Sequence, residues 1–249
     1  MDLGLEGRTL ICTGAAGGIG RPTAELLAEE GARLLVVDRE HEAVAELAAA
    51  LPGGDHVAWG GDLRAPEVPA AIVERAVESF GRVDGLVHLA AAMTPCGLDE
   101  IDVGTWDLHQ DVNVRASFLL ARAAAASMAR AGGGAVVLAS SAAWLTGGRP
   151  DRLHYAVTKG AVTTMVRGLA TALGPQGIRV NGIAPGMVDT PMMNAGIDAA
   201  TRRALEEQAP LRRFAEPREV AVVIAFLVAP VASYVSGATV AVTGGQVLH

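Results

Sequence analysis

This 249-residue chain has only two cysteines, two tyrosines and, against nineteen arginines, a single lysine. Cys12 and Cys96 show neither metal-ligand spacing nor a disulfide framework, so no metal site is expected and a reducing compartment suits the chain. No apolar run approaches the roughly 18 residues that a bilayer-spanning helix needs. Bursts such as Leu34–Val37 and Val136–Leu138 are short. Residues Met1–Gly7 carry two acids and no basic stretch ahead of an apolar one, which argues against a secretory signal and for a cytoplasmic location. The formal net charge is −7, with arginines scattered and no basic stripe, so neither nucleic acid nor a membrane is an expected partner. Because the chain uses arginine for nearly every cation, the position of Lys159 asks for a specific reason.

At 51% hydrophobic, the chain can bury one large core, and no linker, repeat or low-complexity tract divides it. One domain over 1–249 is expected. Short apolar runs alternate with Ala-rich helical stretches. The runs predict strands over Thr9–Thr13, Arg33–Val37, His56–Trp59, Gly85–Leu89, Ala135–Ala139, Arg179–Ile183 and Thr239–Val242. Helices are expected over Ile19–Glu30, His41–Ala50, Glu67–Phe80, Val103–Ala131, Tyr155–Leu173 and Arg218–Val228. This alternation implies an α/β protein with a seven-stranded, doubly wound parallel sheet, whose ligands bind just beyond the carboxyl ends of the strands.

Two groups of residues carry chemistry. The first strand runs into Thr13-Gly14-Ala15-Ala16-Gly17-Gly18-Ile19-Gly20 and then directly into a helix. Glycines let the backbone turn tightly and approach a pyrophosphate, for which the helix N-terminus offers unpaired N–H groups. Asp38, at the end of the second strand, lies where a carboxylate can accept from both hydroxyls of an adenine ribose. The second group is Tyr155-Ala156-Val157-Thr158-Lys159. On a helix this i,i+4 spacing makes the phenol and the ammonium neighbours, and a fixed cation favours the phenolate that proton exchange with a substrate oxygen requires. Upstream, Ser140 and Ser141 follow a strand, placing a hydroxyl where it can polarise the same oxygen.

Taken in order, these motifs resemble the short-chain dehydrogenase/reductase superfamily along essentially the whole chain, which implies a single-domain Rossmann-like fold. By that resemblance the cofactor-binding residues are Gly14, Gly17, Gly18, Ile19, Gly20, Asp38, Asp62, Leu63, Ala90, Tyr155, Lys159, Pro185, Gly186, Val188 and Thr190. The catalytic set is Asn113, Ser141, Tyr155 and Lys159, with Ser140 the lesser candidate for the hydroxyl. Lys159 would contact the nicotinamide ribose and lower the phenol's pKa, and Asn113 would hold a water linking Lys159 to solvent. A segment of about 188–213 would cover the substrate.

The substrate would meet Ser141, Trp144, Tyr155, Met187 and Met192, with Met93, Thr94, His154 and Met193 nearby. Arg149 and Arg152 are either solvated or available to a carboxylate or phosphate on the substrate. The expected activity is NAD-dependent interconversion of a secondary alcohol and a ketone. Asp38, with no basic residue at Ala15 or Ala16, favours NAD, although Arg39 could meet an extra phosphate. The alternatives are an NADPH-dependent 3-oxoacyl thioester reductase, which Pro210–Val220 also resembles, and a non-catalytic dinucleotide sensor. The resemblance further implies a homotetramer built on the helices at 103–131 and 155–173, with Ala123–Ala126 and Ala161 in close contact. Two departures stand out. The family's Asn-Asn-Ala-Gly is replaced by His88-Leu89-Ala90-Ala91, and the Ser-to-Tyr loop, Ala142–His154, is one residue longer than the family's usual spacing.

Overall fold

In the computed structural model, which describes residues 2–195 and 197–247, the short apolar runs bounded by glycine or charge are strands. They are β1 (Thr9–Thr13), β2 (Arg33–Asp38), β3 (Val57–Gly60), β4 (Gly85–His88), β5 (Gly134–Ala139), β6 (Ile178–Pro185) and β7 (Thr239–Val242). They form one parallel sheet in the order β3-β2-β1-β4-β5-β6-β7. Crossover helices cover a parallel sheet on both faces, which is why β1 is buried at every position and β2 at its four central ones.

On one face α1 (Gly20–Glu29), α2 (His41–Ala50) and α10 (Pro217–Val228) pack around Leu27, Leu47 and Ile224. On the other, α3 (Val68–Phe80), α5 (Ala116–Arg130) and α7 (Leu153–Leu173) pack around Ile72, Leu120 and Val166. Truncating any of these Leu or Ile side chains to Ala is expected to cost about 2–5 kcal/mol. Local signals set the ends. Gly81, at φ +80°, closes α3, while Pro217 opens α10, where the Glu219 carboxylate accepts from the Glu216 N–H at 2.8 Å. Among the described residues no helix is long and apolar enough to cross a membrane.

The structure corrects the expectation of one helix over 103–131. It contains α4 (Val103–His109), a π-helical turn over Gln110–Arg115, and then α5. A π turn carries one residue more than an α turn, and such bulges gather at functional sites. Here it turns Asn113 inward. Among the described residues three α-helices lie where none was expected: α6 (Ala143–Thr146), α8 (Pro191–Asn194) and α9 (Ala199–Gln208). The last two belong to the 188–213 segment, of which Gly196 falls outside the described residues. Around them Met187, Ala209 and Phe214 form a small apolar cluster of their own, with Met193, Ile197 and Leu205 packed against it.

The sheet grows outward in opposite directions from β1 and β4, which are neighbours. Crevices at the carboxyl ends of strands at such a switch point receive ligands in open α/β sheets.

Candidate active site

The turn after β1 is pressed against its surroundings. Gly14 sits at φ +70°, and a Cβ on it would lie 2.5 Å from the backbone nitrogen of Ala90. A Cβ on Gly20 would lie 1.9 Å from the Gly14 carbonyl, and one on Gly18 2.7 Å from the Thr190 side chain. Only glycine fits these three positions. Ile19 stands at the N-cap of α1 without a side-chain cap, and no acid occupies the first helical turn. The helix N-terminus therefore keeps its partial positive charge, and the bare backbone fits a pyrophosphate.

Asp38 is braced from two sides: its Oδ2 accepts from the Ala16 N–H at 3.1 Å and its Oδ1 from the Arg39 N–H at 2.7 Å. Arg39 itself turns to Glu40, its Nε 3.2 Å from that carboxylate. Asp62 is held by Arg64, whose side-chain hydrogen bonds keep the carboxyl below its usual pKa, and Leu63 beside it is buried. These residues fit the adenosine end of a dinucleotide.

Beyond β5 the two serines diverge. The Ser140 hydroxyl donates to the Lys159 carbonyl at 3.0 Å and lies 2.7 Å from the Thr163 hydroxyl, so α7 occupies it. The Ser141 hydroxyl accepts from the Ala143 N–H at 3.2 Å, and Ser141 lines the same cavity as Tyr155. Lys159 is 2% exposed; its Nζ donates to the Ala139 carbonyl at 2.8 Å and lies 5.3 Å from the centre of the Tyr155 ring. Burial pushes the ammonium's pKa down to about 8. Burial also raises the pKa of the Tyr155 phenol, while the Ser141 hydroxyl and the charge of Arg152 pull it down.

Asn113 braces this group. Its amide Oδ1 accepts from the Ala92 N–H at 2.7 Å, its Nδ2 donates to the Ala92 carbonyl and to the Thr158 hydroxyl, each at 3.0 Å, and its own carbonyl accepts from Ser117. The loop after β4, the π turn and α7 are thereby tied together. Thr158, one turn from Tyr155, was not singled out from the sequence, although its place inside the Tyr-to-Lys stretch was a usable signal.

His88 occupies the first position of the departed motif. Its Nδ1 lies 2.6 Å from the Thr13 hydroxyl, so an imidazole joins the ends of β1 and β4. Burial, seconded by the charge of Lys159, pushes the His88 pKa down to about 3 and holds the ring neutral.

A cavity of about 410 Å3 joins these parts. Its walls bring together Gly14, Gly17, Gly18, Ile19 and Gly20 with Ser141, Tyr155 and Lys159, and with Pro185, Gly186, Val188 and Thr190. Met93, Met187, Met192 and Met193 add apolar wall, and Gln208 and Gln246 reach it from segments with no legible motif. Asp38, Asp62, Leu63, Ala90 and Asn113 support or flank the cavity and do not line it. Thr94 and His154 also stand outside, where the His154 ring meets the Thr94 carbonyl at 2.9 Å. Trp144 is not a wall residue either, a departure from expectation: Ala143 and Thr146, three apart on α6, face the cavity, and Trp144 lies about 100° round from Ala143.

The family described as enoyl-(acyl carrier protein) reductase matches residues 14–246. The chain is 38% identical over 241 residues to a cis-4-hydroxycyclohexanecarboxylate dehydrogenase of Sinomonas cyclohexanicum, covering 96% of each protein. It is 34% identical to a 3-oxoacyl-acyl-carrier-protein reductase of Thermotoga maritima, covering 98% of this chain and 99% of that one. Its fold superposes on the L-sorbose reductase of Gluconobacter frateurii, solved with NADPH and L-sorbose, with a TM-score of 0.92 and 32% identity over the whole of both chains. A short-chain dehydrogenase/reductase of Brucella melitensis superposes equally fully, at 0.93 and 34%. With a glycine turn that only bare backbone can fill, a hydroxyl, phenol and ammonium meeting at one cavity, and relatives matched end to end, this chain belongs to the short-chain dehydrogenase/reductase superfamily of oxidoreductases.

Proposed function

We propose that the protein interconverts a secondary alcohol and a ketone with NAD as its hydride partner. The observation that carries this reading is that Ser141, Tyr155 and Lys159 line one cavity, which continues to the glycine turn. When bound, NAD supplies the hydride acceptor. The protein's share is placement and proton handling. Tyr155 takes the hydroxyl proton in oxidation and returns it in reduction, Ser141 holds the substrate oxygen, and Lys159 offers the ribose and phenol a compact cation. Asn113 positions α7 against the loop after β4. The 188–213 segment covers the substrate, and 1–249 acts as one catalytic domain. A cytoplasmic site of action suits the two free thiols.

Substrate oxidation followed as NADH absorbance, in wild type and Tyr155→Phe, tests the reading. General acid–base catalysis contributes ~100- to 10,000-fold, and the variant is expected to lose that much kcat/KM while keeping its melting temperature and its affinity for NAD. Retention of more than roughly a tenth of the activity removes Tyr155 from this role, and a protein that binds the dinucleotide without turning over any alcohol or ketone is the sensor of the third reading.

A second reading, NADPH-dependent reduction of a 3-oxoacyl thioester, draws on the Thermotoga relative and on the NADPH named for the sorbose reductase. Asp38 weighs against it, since a carboxylate at the end of β2 would repel a 2′-phosphate bound beside it, and Arg39 is engaged with Glu40. The proposal extends to a homotetramer. Trp106, Phe118 and Val157 are exposed apolar side chains on α4, α5 and α7, while Ala124 and Ala125, expected at the interface, are buried in the subunit's own core. Light scattering reporting a monomer at micromolar concentration removes this part.

A further inference from the structure

The cavity's charge is one-sided. Acids outnumber bases 27 to 20 in the chain, yet among the described residues the cavity wall includes Arg149, Arg152 and Lys159 and no Asp or Glu. Lys159 has its carbonyl partner. The two arginines share one acid: Asp151 comes within 3.3 Å of the Arg149 Nε but only 4.0 Å of the Arg152 Nε. Arg149, Arg152 and Asp151 together keep a single positive charge. The Arg152 side chain is 15% exposed, and its buried Nε has no hydrogen-bond partner among the described residues. A donor taken from water and left unpaired is costly, which invites a ligand to complete it.

Position compounds this cost. Arg152 is the N-cap residue of α7, where no side chain caps the first turn and no acid occupies it. The helix end adds its own partial positive charge. Burial and the like charge of Arg149 pull the Arg152 pKa below its usual value. An anion seated here relieves the unpaired donor, the crowded cations and the bare helix end together. The Arg152 charge also acts on the Tyr155 phenol, so such an anion and the reacting oxygen share one cavity.

We propose that the substrate is a hydroxy or oxo acid whose carboxylate, remote from the reacting carbon, is held by Arg152 and Arg149 at the amino end of α7. This rests on the oxidoreductase reading and narrows its substrate class. A planar guanidinium matches a carboxylate in geometry, and one residual positive charge balances a carboxylate better than a doubly charged phosphate. Met93, Met187 and Met192 supply apolar wall for the carbon skeleton.

The test compares reduction of 4-oxopentanoate, 5-oxohexanoate and 3-oxocyclopentanecarboxylate with that of their methyl esters, in wild type and Arg152→Gln, supplying both NADH and NADPH. At least one acid is expected to exceed its ester roughly 10- to 100-fold in kcat/KM, and Arg152→Gln brings that ratio close to one. The ratio cancels any effect of the substitution on Tyr155 or on folding. Calorimetric titration of benzoate and benzamide reads the anion site without turnover: benzoate binds more tightly than the amide in wild type and not in the variant. Equal use of acids and esters, a ratio unmoved by Arg152→Gln, or a stronger preference for dihydroxyacetone phosphate over dihydroxyacetone than for any acid over its ester overturns the proposal. Selective benzoate binding with no reduction of any ketone would sink the oxidoreductase reading and leave the anion site standing.

Discussion

The Thr13 hydroxyl and Nδ1 of His88 lie 2.6 Å apart, at positions paired across β1 and β4. The imidazole must stay neutral there, because it is buried and faces the charge of Lys159. Its pKa of about 3 in the folded protein lies below the ordinary 6.5. In that window the unfolded chain binds the extra proton, so the stability His88 contributes is complete above about pH 6.5 and is lost as pH falls toward 3. Wild type should therefore lose more melting temperature between pH 7 and pH 4.5 than His88→Asn, whatever their offset at neutral pH. Parallel acid slopes would remove His88 as a source of acid sensitivity.

Lys159 should not tolerate arginine, although the rest of the chain uses it freely. The ammonium is 2% exposed and gives a hydrogen bond to the Ala139 carbonyl. A planar guanidinium is larger and does not deprotonate near neutrality. A titration near pH 8, assigned to Lys159 by its burial, should vanish from the pH profile of Lys159→Arg, and kcat should fall. A variant with normal kcat and an unshifted profile contradicts this.

Asp38→Ser should weaken NAD use and improve NADP use together. Charge-assisted hydrogen bonds are worth roughly 1.5–3 kcal/mol each, so KM for NAD is expected to rise about ten- to a hundredfold. Adding Arg39→Ala separates the gain made by Arg39 once Asp38 is gone. If wild type already prefers NADP, or if the NAD/NADP ratio of kcat/KM is unmoved, the thioester-reductase reading takes first place.

Arg202 fastens α9 to the segment after β6. Its Nη1 and Nη2 donate to Asp189 at 3.2 and 3.0 Å, its Nη1 also to Asn194 and its Nε to Glu206, each at 3.0 Å, and the guanidinium lies 4.3 Å over the Phe214 ring. Met192, Met193 and Leu205, carried by the two helices so joined, line the cavity. Arg202→Ala should lower kcat/KM, by up to roughly 100-fold if those walls move by an ångström, while leaving cofactor affinity near wild type. Unchanged steady-state kinetics would show that the covering segment holds its place without this arginine.

Much of this was readable before any fold was known, for local reasons. Buried parallel strands need unbroken apolar runs, so all seven appear in the sequence to within a residue or two at their ends. The glycine turn, Asp38 at the end of β2, and the Tyr155–Lys159 pair separated by one helical turn are likewise written in spacing. Contacts between distant segments decided the rest. Ser140 and Ser141 are indistinguishable along the chain, and only the packing of α7 on β5, which consumes one hydroxyl, leaves the other for Tyr155. The break in the helix at Asn113 answers to Ala92 and Thr158, 21 and 45 residues away. His88 finds its partner 75 residues upstream because the sheet order makes β1 and β4 neighbours. Arg152 looks like any loop arginine until burial leaves its Nε without a partner at the cavity wall. Helical and strand periodicity are set by neighbours along the chain, whereas the pairing of a buried polar group depends on which distant element the sheet brings beside it.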